Sequence, residues 1–465
     1  MKFRFLSALF LVLIAFSAAH AKDAVTRISA DTINSDTVWS GKVVVEKPLT
    51  VTKAATLTIK PGTEVSFKKD AGLTVEGTIK AAGKKGALVV FTSGEAVPAA
   101  GDWAGITLSE AGPGSTLKYC SISYAAAGVS MDVCSVPVQN CEFKKGVQGI
   151  VLARKAKPRL EGNLISGMTQ GGINCQMGTS PTITGNTVER CGSNGITSSK
   201  DALPTIKGNT VTGCENGISV SQVIPPVENN TVKENKTGIF ITNAGSLLAV
   251  RGNRITANEA GIICQQISEP IIEKNEIYAN TKEGVVCYRA SSPLIRNNNI
   301  FKNEQGVVCV QLCNPRVSSN NIYENKKGVY LDLSSYAVIT SNNIYSNDVQ
   351  MELGNMSSDW ENRVKGKPSR GMEQQKLAKI SRGKMFQQGG GDGARIMGYV
   401  DARGNWWGDA ATAEMEQKGP EANIKALTDY YDMPTRTYEG YTGVYTQDKI
   451  KYEGWKKTRI KTAGY

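Results

Sequence analysis

A single column of asparagines constrains this chain more than any other feature. Asn163, Asn186, Asn209, Asn230, Asn253, Asn275, Asn298, Asn320 and Asn342 follow one another at steps of 23, 23, 21, 23, 22, 23, 22 and 22 residues. The frame around them repeats as well. From Pro293 the chain reads PLIRNNNIFKNEQGVVCV, and from Pro315 it reads PRVSSNNIYENKKGVYL. A unit of about 22 residues cannot bury an apolar face alone, so the period is that of a solenoid whose coils stack.

The residue types within the unit say what kind of solenoid. Three residues before each Asn stands an aliphatic (Leu160, Ile183, Ile206, Val227, Val250, Ile272, Ile295, Val317, Ile339), and two after it another (Ile165, Val188, Val211, Val232, Ile255, Ile277, Ile300, Ile322, Ile344). A third column is Gly followed by Ile or Val, from Gly172 through Gly328. Short β-branched runs broken by Asn and Gly are strands separated by turns, and no helical spacing is sustained. Three short strands per unit, each pairing in parallel with its equivalent one coil on, turn the aliphatic columns into one core. The expected fold is therefore all-β, a single-stranded parallel β-helix. In it Asn supplies the left-handed corner and a coil-to-coil amide ladder, and Gly supplies the other tight corner. The frame extends upstream with altered residues: Leu117, Cys120, Ile122 and then Val138, Cys141, Phe143. About fourteen coils at ~4.8 Å each would make a rod roughly 65–70 Å long.

The two ends bound the setting. Residues 1–21 have a basic start (Lys2, Arg4), an apolar run and Ala19-His20-Ala21, which reads as a cleaved secretory signal, too short to span a bilayer. No later segment is apolar for long enough to cross one, so the expected location is periplasmic or extracellular. The formal charge is +12, of which Lys2 and Arg4 supply two, leaving +10 on the mature chain. That balance suits an anionic partner such as a uronate polysaccharide or an envelope component, and it equally suits plain solubility. A nucleic-acid partner is not expected. The single histidine is His20, inside the leader. Without it, Ser-His-Asp, Cys-His and histidine acid–base chemistry are excluded from the mature chain.

Several segments resemble a known family. Val38-Trp39-Ser40-Gly41, Ile59-Lys60-Pro61-Gly62-Thr63 and Phe91-Thr92-Ser93 are similar to the opening of exported right-handed β-helix proteins of the pectate-lyase-like superfamily. The G-N-x-[IV]-x-x-N-x-x-G-[IV] unit is similar to their PbH1-type coil motif, shared with the NosD-like periplasmic family. Gly404-Asn405-Trp406-Trp407-Gly408 resembles their closing coil. The resemblance implies a right-handed coil over nearly all of the mature chain and leaves the activity open. The expected organisation is a signal (1–21), opening coils (22–115), regular coils (116–355), a polar basic insertion (356–398), a closing coil with the NWWG motif (399–440) and a C-terminal cap (441–465).

Candidate sites are sought in departures from the repeat. Tyr278, Phe301, Tyr323 and Tyr345 form an aromatic column one residue past an inward aliphatic, so strand alternation points them outward. They are the candidate substrate-binding residues, as stacking platforms for sugar rings; the alternative is that they stack on one another. Ten cysteines follow the columns. Cys264, Cys287 and Cys309 share one with Cys175, Cys191 pairs with Cys214, and Cys120 pairs with Cys141. They read as small core residues, with coil-to-coil disulfides or a soft-metal site as alternatives. No metal ligand set, cofactor or catalytic residue is assigned. Between Val136 and Asp348 the only aspartates are Asp201 and Asp332, and polygalacturonase-like enzymes of this superfamily carry an Asp-Asp pair and a Gly-His-Gly that are missing here. Arg251 and Arg296, which share a column, are the candidates should a lyase base exist. The expected function is a non-enzymatic exported scaffold that binds carbohydrate or an envelope component. The alternatives are a polysaccharide lyase or other carbohydrate-active enzyme using Lys/Arg chemistry, and a NosD-like accessory for metal-site assembly.

Overall fold

The structure is a computed structural model that describes residues 25–465 apart from 177, 200, 246–248 and 366–397. The leader, and most of the expected insertion, lie outside the described residues. Three parallel sheets wind along one axis. Sheet I has 15 strands from Val25–Ile28 to Asn343–Tyr345, and sheet II has 16 from Thr32–Ile33 to Leu427–Thr428. Sheet III has 14, from Thr37–Trp39 to Val338–Thr340. Each strand pairs with its equivalent one coil on, so like lies above like: Ile277 beside Ile300, Ile300 beside Ile322, Ile322 beside Ile344. The upstream frame holds, with Leu117 beside Val138 and Val138 beside Leu160. The result is the expected all-β solenoid, and its inward columns form one continuous buried core. Among the described residues no helix is long and apolar enough to cross a membrane.

Two of the corner assignments need correction. The ladder asparagines do not occupy the left-handed corner. That conformation belongs to the residue before each: Gly185 (φ 62°), Gly208 (64°), Asn229 (53°), Lys274 (54°), Asn297 (56°) and Ser341 (58°). The ladder amide then does the bonding. In each coil Asn Oδ1 accepts both the backbone N–H and the Nδ2–H of the Asn one coil back, while Nδ2 also donates to a carbonyl. For Asn275 these distances are 2.9 and 3.0 Å to Asn253, and 2.9 Å each to Val250 O and Asn298 Oδ1. A second ladder, Asn235–Asn258–Asn280–Asn303–Asn325–Asn347, follows the next corner in the same way. The glycine column is not a corner either. Gly172 to Gly328 lie inside or at the edge of sheet II, where a Cβ on Gly284 would sit 2.6 Å from Gly306 O. Close approach of the next coil demands Gly there, and the backbone angle does not.

The closing coil is built by the NWWG motif. Although 63 residues separate Asn342 from Asn405, Asn405 Oδ1 accepts from Asn342 N at 2.8 Å and from Nδ2 at 3.0 Å, extending the first ladder by one coil. Trp406 pairs with Asn343, and Trp407 is buried in the core. Beyond it runs a helix the repeat pattern did not announce, Asp409–Lys418, which lays Ala411, Thr412 and Met415 over the end of the solenoid. Lys418 pairs with Glu414 at 2.7 Å in its last turn. The tail packs Tyr452 into this cap, then turns back along sheet I. There Ile460 N donates to Asn343 Oδ1 (2.8 Å), Asn321 Nδ2 to Ala463 O (3.1 Å), and Gly464 N to Ser319 O (2.8 Å).

Candidate functional site

The aromatic column of Tyr278, Phe301, Tyr323 and Tyr345 points outward and is half-buried. Its rings stack face to face, with centroids 4.9, 4.9 and 5.1 Å apart and planes within 9° of parallel. Trp406 continues the stack at 5.1 Å, tilted by 42°. Arg254 covers the other end, 5.4 Å from the Tyr278 ring, with its Nε donating to the Tyr278 hydroxyl at 2.5 Å. Arg459 from the tail lies 5.1 Å over Tyr345. Burial raises the phenol pKa of both Tyr323 and Tyr345. The ring faces are thus turned on each other, and solvent meets a row of edges.

The arginines considered as bases are committed to ion pairs. Arg251 reaches Glu228 at 2.6 Å and Glu273 at 3.7 Å, and Arg296 reaches Glu273 at 2.8 Å, so the outer face of sheet III carries a charge ladder. All ten cysteines are buried free thiols. Burial pushes the Cys175, Cys264 and Cys313 thiols up, as suits small core residues. No group of three or more His, Cys, Asp or Glu among the described residues could hold a metal ion.

A groove forms elsewhere, at the corner that leads out of sheet II. It encloses about 510 Å³ and runs past successive coils from Asn243 through Gln266-Ile267, Arg289-Ala290, Gln311-Leu312 and Leu333-Ser334 to Asn355. At ~4.8 Å per coil those five steps cover roughly 24 Å. Left-handed residues come in pairs at this corner, where the corners at Lys274 and Ala279 have one each. Asn243 and all four pairs are left-handed, with φ between 46° and 66°, and none is glycine. For a β-branched residue such as Ile267 (φ 62°) that conformation costs about 1–2 kcal/mol. The corners hold because each bonds to the next: Ile267 N to Arg289 O (3.1 Å), Ala290 N to Gln311 O (2.9 Å), Leu312 N to Leu333 O (3.0 Å). Ser268, Ser291, Cys313 and Ser335 turn inward directly behind them, with Ser268 N donating to Ser291 Oγ and Cys313 N to Ser335 Oγ. Glycine would have made these turns without strain. The chain instead displays side chains along the rim.

Those side chains divide by chemistry. Ile267, Ala290, Leu312 and Leu333 make an apolar strip, and Leu333 is 38% exposed. Asn243, Gln266, Arg289 and Gln311 flank it. Gln266 Oε1 accepts from Asn243 Nδ2 at 3.0 Å and Thr242 Oγ1 at 2.9 Å, which fixes its amide with Nε2 free to donate. Arg289 lies 5.1 Å over the Tyr288 ring and has no carboxylate partner among the described residues. The opposite wall is Trp360 stacked on Tyr438, centroids 4.4 Å apart and planes at 17°, with Tyr441 edge-on. Trp360 stands in the short helix Ser358–Trp360, at the start of the segment expected to be an insertion. That helix is anchored by Ser358 on Asp448 (2.7 Å) and by the Ser357 cap. The Tyr438 hydroxyl is buried without a hydrogen-bond partner among the described residues, and its pKa is raised by burial and then by the carboxylates of Asp448, Glu361 and Asp332. Sequence reasoning missed this groove because its residues share no type. The one signal was positional, since three of the four pairs stand three to four residues ahead of a proline, Pro270, Pro293 or Pro315.

Comparison with known proteins gives the family. A profile described as right handed beta helix region matches residues 104–255 and 227–345, and one described as pectate-lyase like beta helix domain matches residues 31–128. No curated protein sequence matches the chain. Among solved structures it is similar to the periplasmic alginate epimerase AlgG (15% identity, 67% of this chain and 73% of that chain, TM-score 0.33). It is also similar to the A-module of the mannuronan C-5 epimerase AlgE4 of Azotobacter vinelandii (14% identity, 66% and 82%, TM-score 0.31).

Proposed function

The chain belongs to the right-handed β-helix family, and from that premise we propose that it is an exported protein that binds a chain-like carbohydrate along the groove of left-handed corners. One observation carries this reading. Side chains are displayed at coil spacing on a backbone that bears strain to display them, opposite an indole–phenol wall. A rung of ~4.8 Å is close to the advance of one unit in an extended polysaccharide, so successive sugars can meet equivalent contacts. Amides and a guanidinium donate to hydroxyls and ring oxygens, and the aromatic wall covers a sugar's apolar face. The aromatic column on sheet I then serves chiefly to lock coils together.

The enzymatic alternative would run in the same groove on Arg289 and Tyr438, with the raised phenol pKa suiting proton donation better than abstraction. The metal-assembly alternative would call on thiols, and these are inside the coils. Glycan-array binding by the mature chain tests the reading. Trp360→Ala should abolish binding, and the double change Phe301→Ala with Tyr323→Ala should leave it within about threefold once stability is matched. Loss through the sheet I pair with no effect of Trp360→Ala would return the site to the aromatic column. New unsaturated ends on incubation with uronate polymers would replace binding with lyase activity.

A further inference from the structure

The described lining of the groove is poor in charge although the protein is basic. Among its described lining residues Arg289 is the only charged side chain, in a groove that passes six corners. Elsewhere basic side chains on the solenoid are paired with carboxylates. Lys282 with Glu259, Lys326 with Glu304 (3.3 Å) and Lys236 with Glu215 (3.8 Å) alternate along another corner, and Arg251 and Arg296 pair on sheet III. At the end of the groove nearest Tyr438 the carboxylates of Asp448, Glu361 and Asp332 face the guanidinium of Arg436. Asp332 accepts from Leu333 N at 2.8 Å, Asn355 N at 2.6 Å and the Tyr330 hydroxyl at 3.1 Å.

A polyuronate carries one carboxylate per sugar, hence about one per coil. Among the described lining residues only Arg289 would offer such a carboxylate a cation. The other carboxylates would lose water against Ile267, Leu312 or Leu333, or approach Asp332, each at a cost of several kcal/mol. A plain neutral glucan avoids that cost but leaves the apolar strip against hydroxyls. An apolar residue stands on each of four successive coils, and on three of them Gln266, Arg289 or Gln311 flanks it with a donor. That is the pattern of a ligand bearing a methyl and a carbonyl on each sugar.

We propose that the groove selects an acetylated polysaccharide of low charge, with acetyl methyls on the Ile267–Ala290–Leu312–Leu333 strip and acetyl carbonyls on the amide and guanidinium donors of Gln266, Arg289 and Gln311. The proposal rests on the carbohydrate-binding reading of the same groove.

Three hexasaccharides separate the two by calorimetry on the full mature chain: N-acetylchitohexaose, cellohexaose with the same β-1,4 backbone and no acetamido group, and hexagalacturonate. N-acetylchitohexaose should bind at least about tenfold more tightly than either of the others. Leu312→Gln, at a corner whose neighbour is already Gln311, should bring its affinity down to that of cellohexaose with the thermal midpoint unchanged. Leu333→Asn, with a residue type that favours the left-handed corner, should do the same if the first variant does not fold. Equal affinity for cellohexaose, or tighter binding of hexagalacturonate, with Trp360→Ala still abolishing binding, overturns the acetyl selectivity and leaves the groove reading intact. Absence of binding to all three, and to O-acetylated xylohexaose, overturns both.

Discussion

At the scale of the residue, what matters is whether a buried polar group has its partners. Asn275 has all of them, so both changes at that position should be costly in different ways. Asn275→Ala strips acceptors from Asn253 and a donor from Asn298, and should lower stability by about 2–4 kcal/mol. Asn275→Asp keeps the acceptor but sets a carboxylate against Val250 O and Asn298 Oδ1, so at pH 7 it should be the worse of the two by chemical denaturation. Glu269 is the opposite case. It is 6% exposed, neither carboxylate oxygen has a hydrogen-bond partner among the described residues, and burial pushes its pKa up to about 7. The folded chain therefore holds a proton that the unfolded chain releases at its ordinary carboxylate pKa. Stability from this group is full below about pH 4.5, falls as pH rises to about 7, and is flat above. Glu269→Gln should stabilise the protein by roughly 1–3 kcal/mol at pH 8 and change little at pH 4. A denaturation series across that range checks it, and equal effects at both pH values would show that the carboxylate is paired. The same scale explains what was legible in the sequence. Asparagine, aliphatic and cysteine columns could be read because stacking puts identical residues in identical surroundings. Which of two adjacent residues takes the left-handed corner could not, since Gly208-Asn209 and Lys274-Asn275 look unlike while their backbones agree.

At the scale of the element, the coil is held by its neighbours more than by its own turns. Gly284→Ala puts a methyl 2.6 Å from Gly306 O and 2.9 Å from Ile300 Cγ2, so two coils must separate. A loss of about 2–4 kcal/mol is expected, with a matching drop in the thermal midpoint. Gly208→Ala meets nothing within 4 Å and bears only the strain of φ 64°, about 1 kcal/mol. Equal losses at the two sites would mean that the corner angle, and not coil approach, governs. The helix Asp409–Lys418 was illegible because its buried face is Ala411, Thr412 and Met415, too small and too short to print a period on the sequence. The groove was illegible for a related reason. Its rungs are alike in backbone and unlike in side chain, and only backbone angles reveal the likeness.

At the scale of the whole molecule, the ends are where the repeat loses its neighbours. The C-terminal end is closed by Trp407, the helix and Tyr452, and residues 460–465 then cover an outward amide row in which Asn343 bonds Asn321 at 2.8 Å and Asn321 bonds Asn299 at 2.9 Å. Deleting 460–465 should raise hydrogen exchange in the strands Asn321–Tyr323 and Asn343–Tyr345 and lower the thermal midpoint by a few degrees, with the rest of the solenoid unchanged. Protection lost along the full length would instead make the tail a keystone of folding. The corner groove has a different consequence at this scale. Its length is set by copy number, one rung for each unit of about 22 residues, so inserting or removing a single unit would lengthen or shorten it by one rung, ~4.8 Å, with the backbone of the others unchanged. Were the proposed ligand bound there, a molecule built in this way would measure it as a ruler does, by counting graduations.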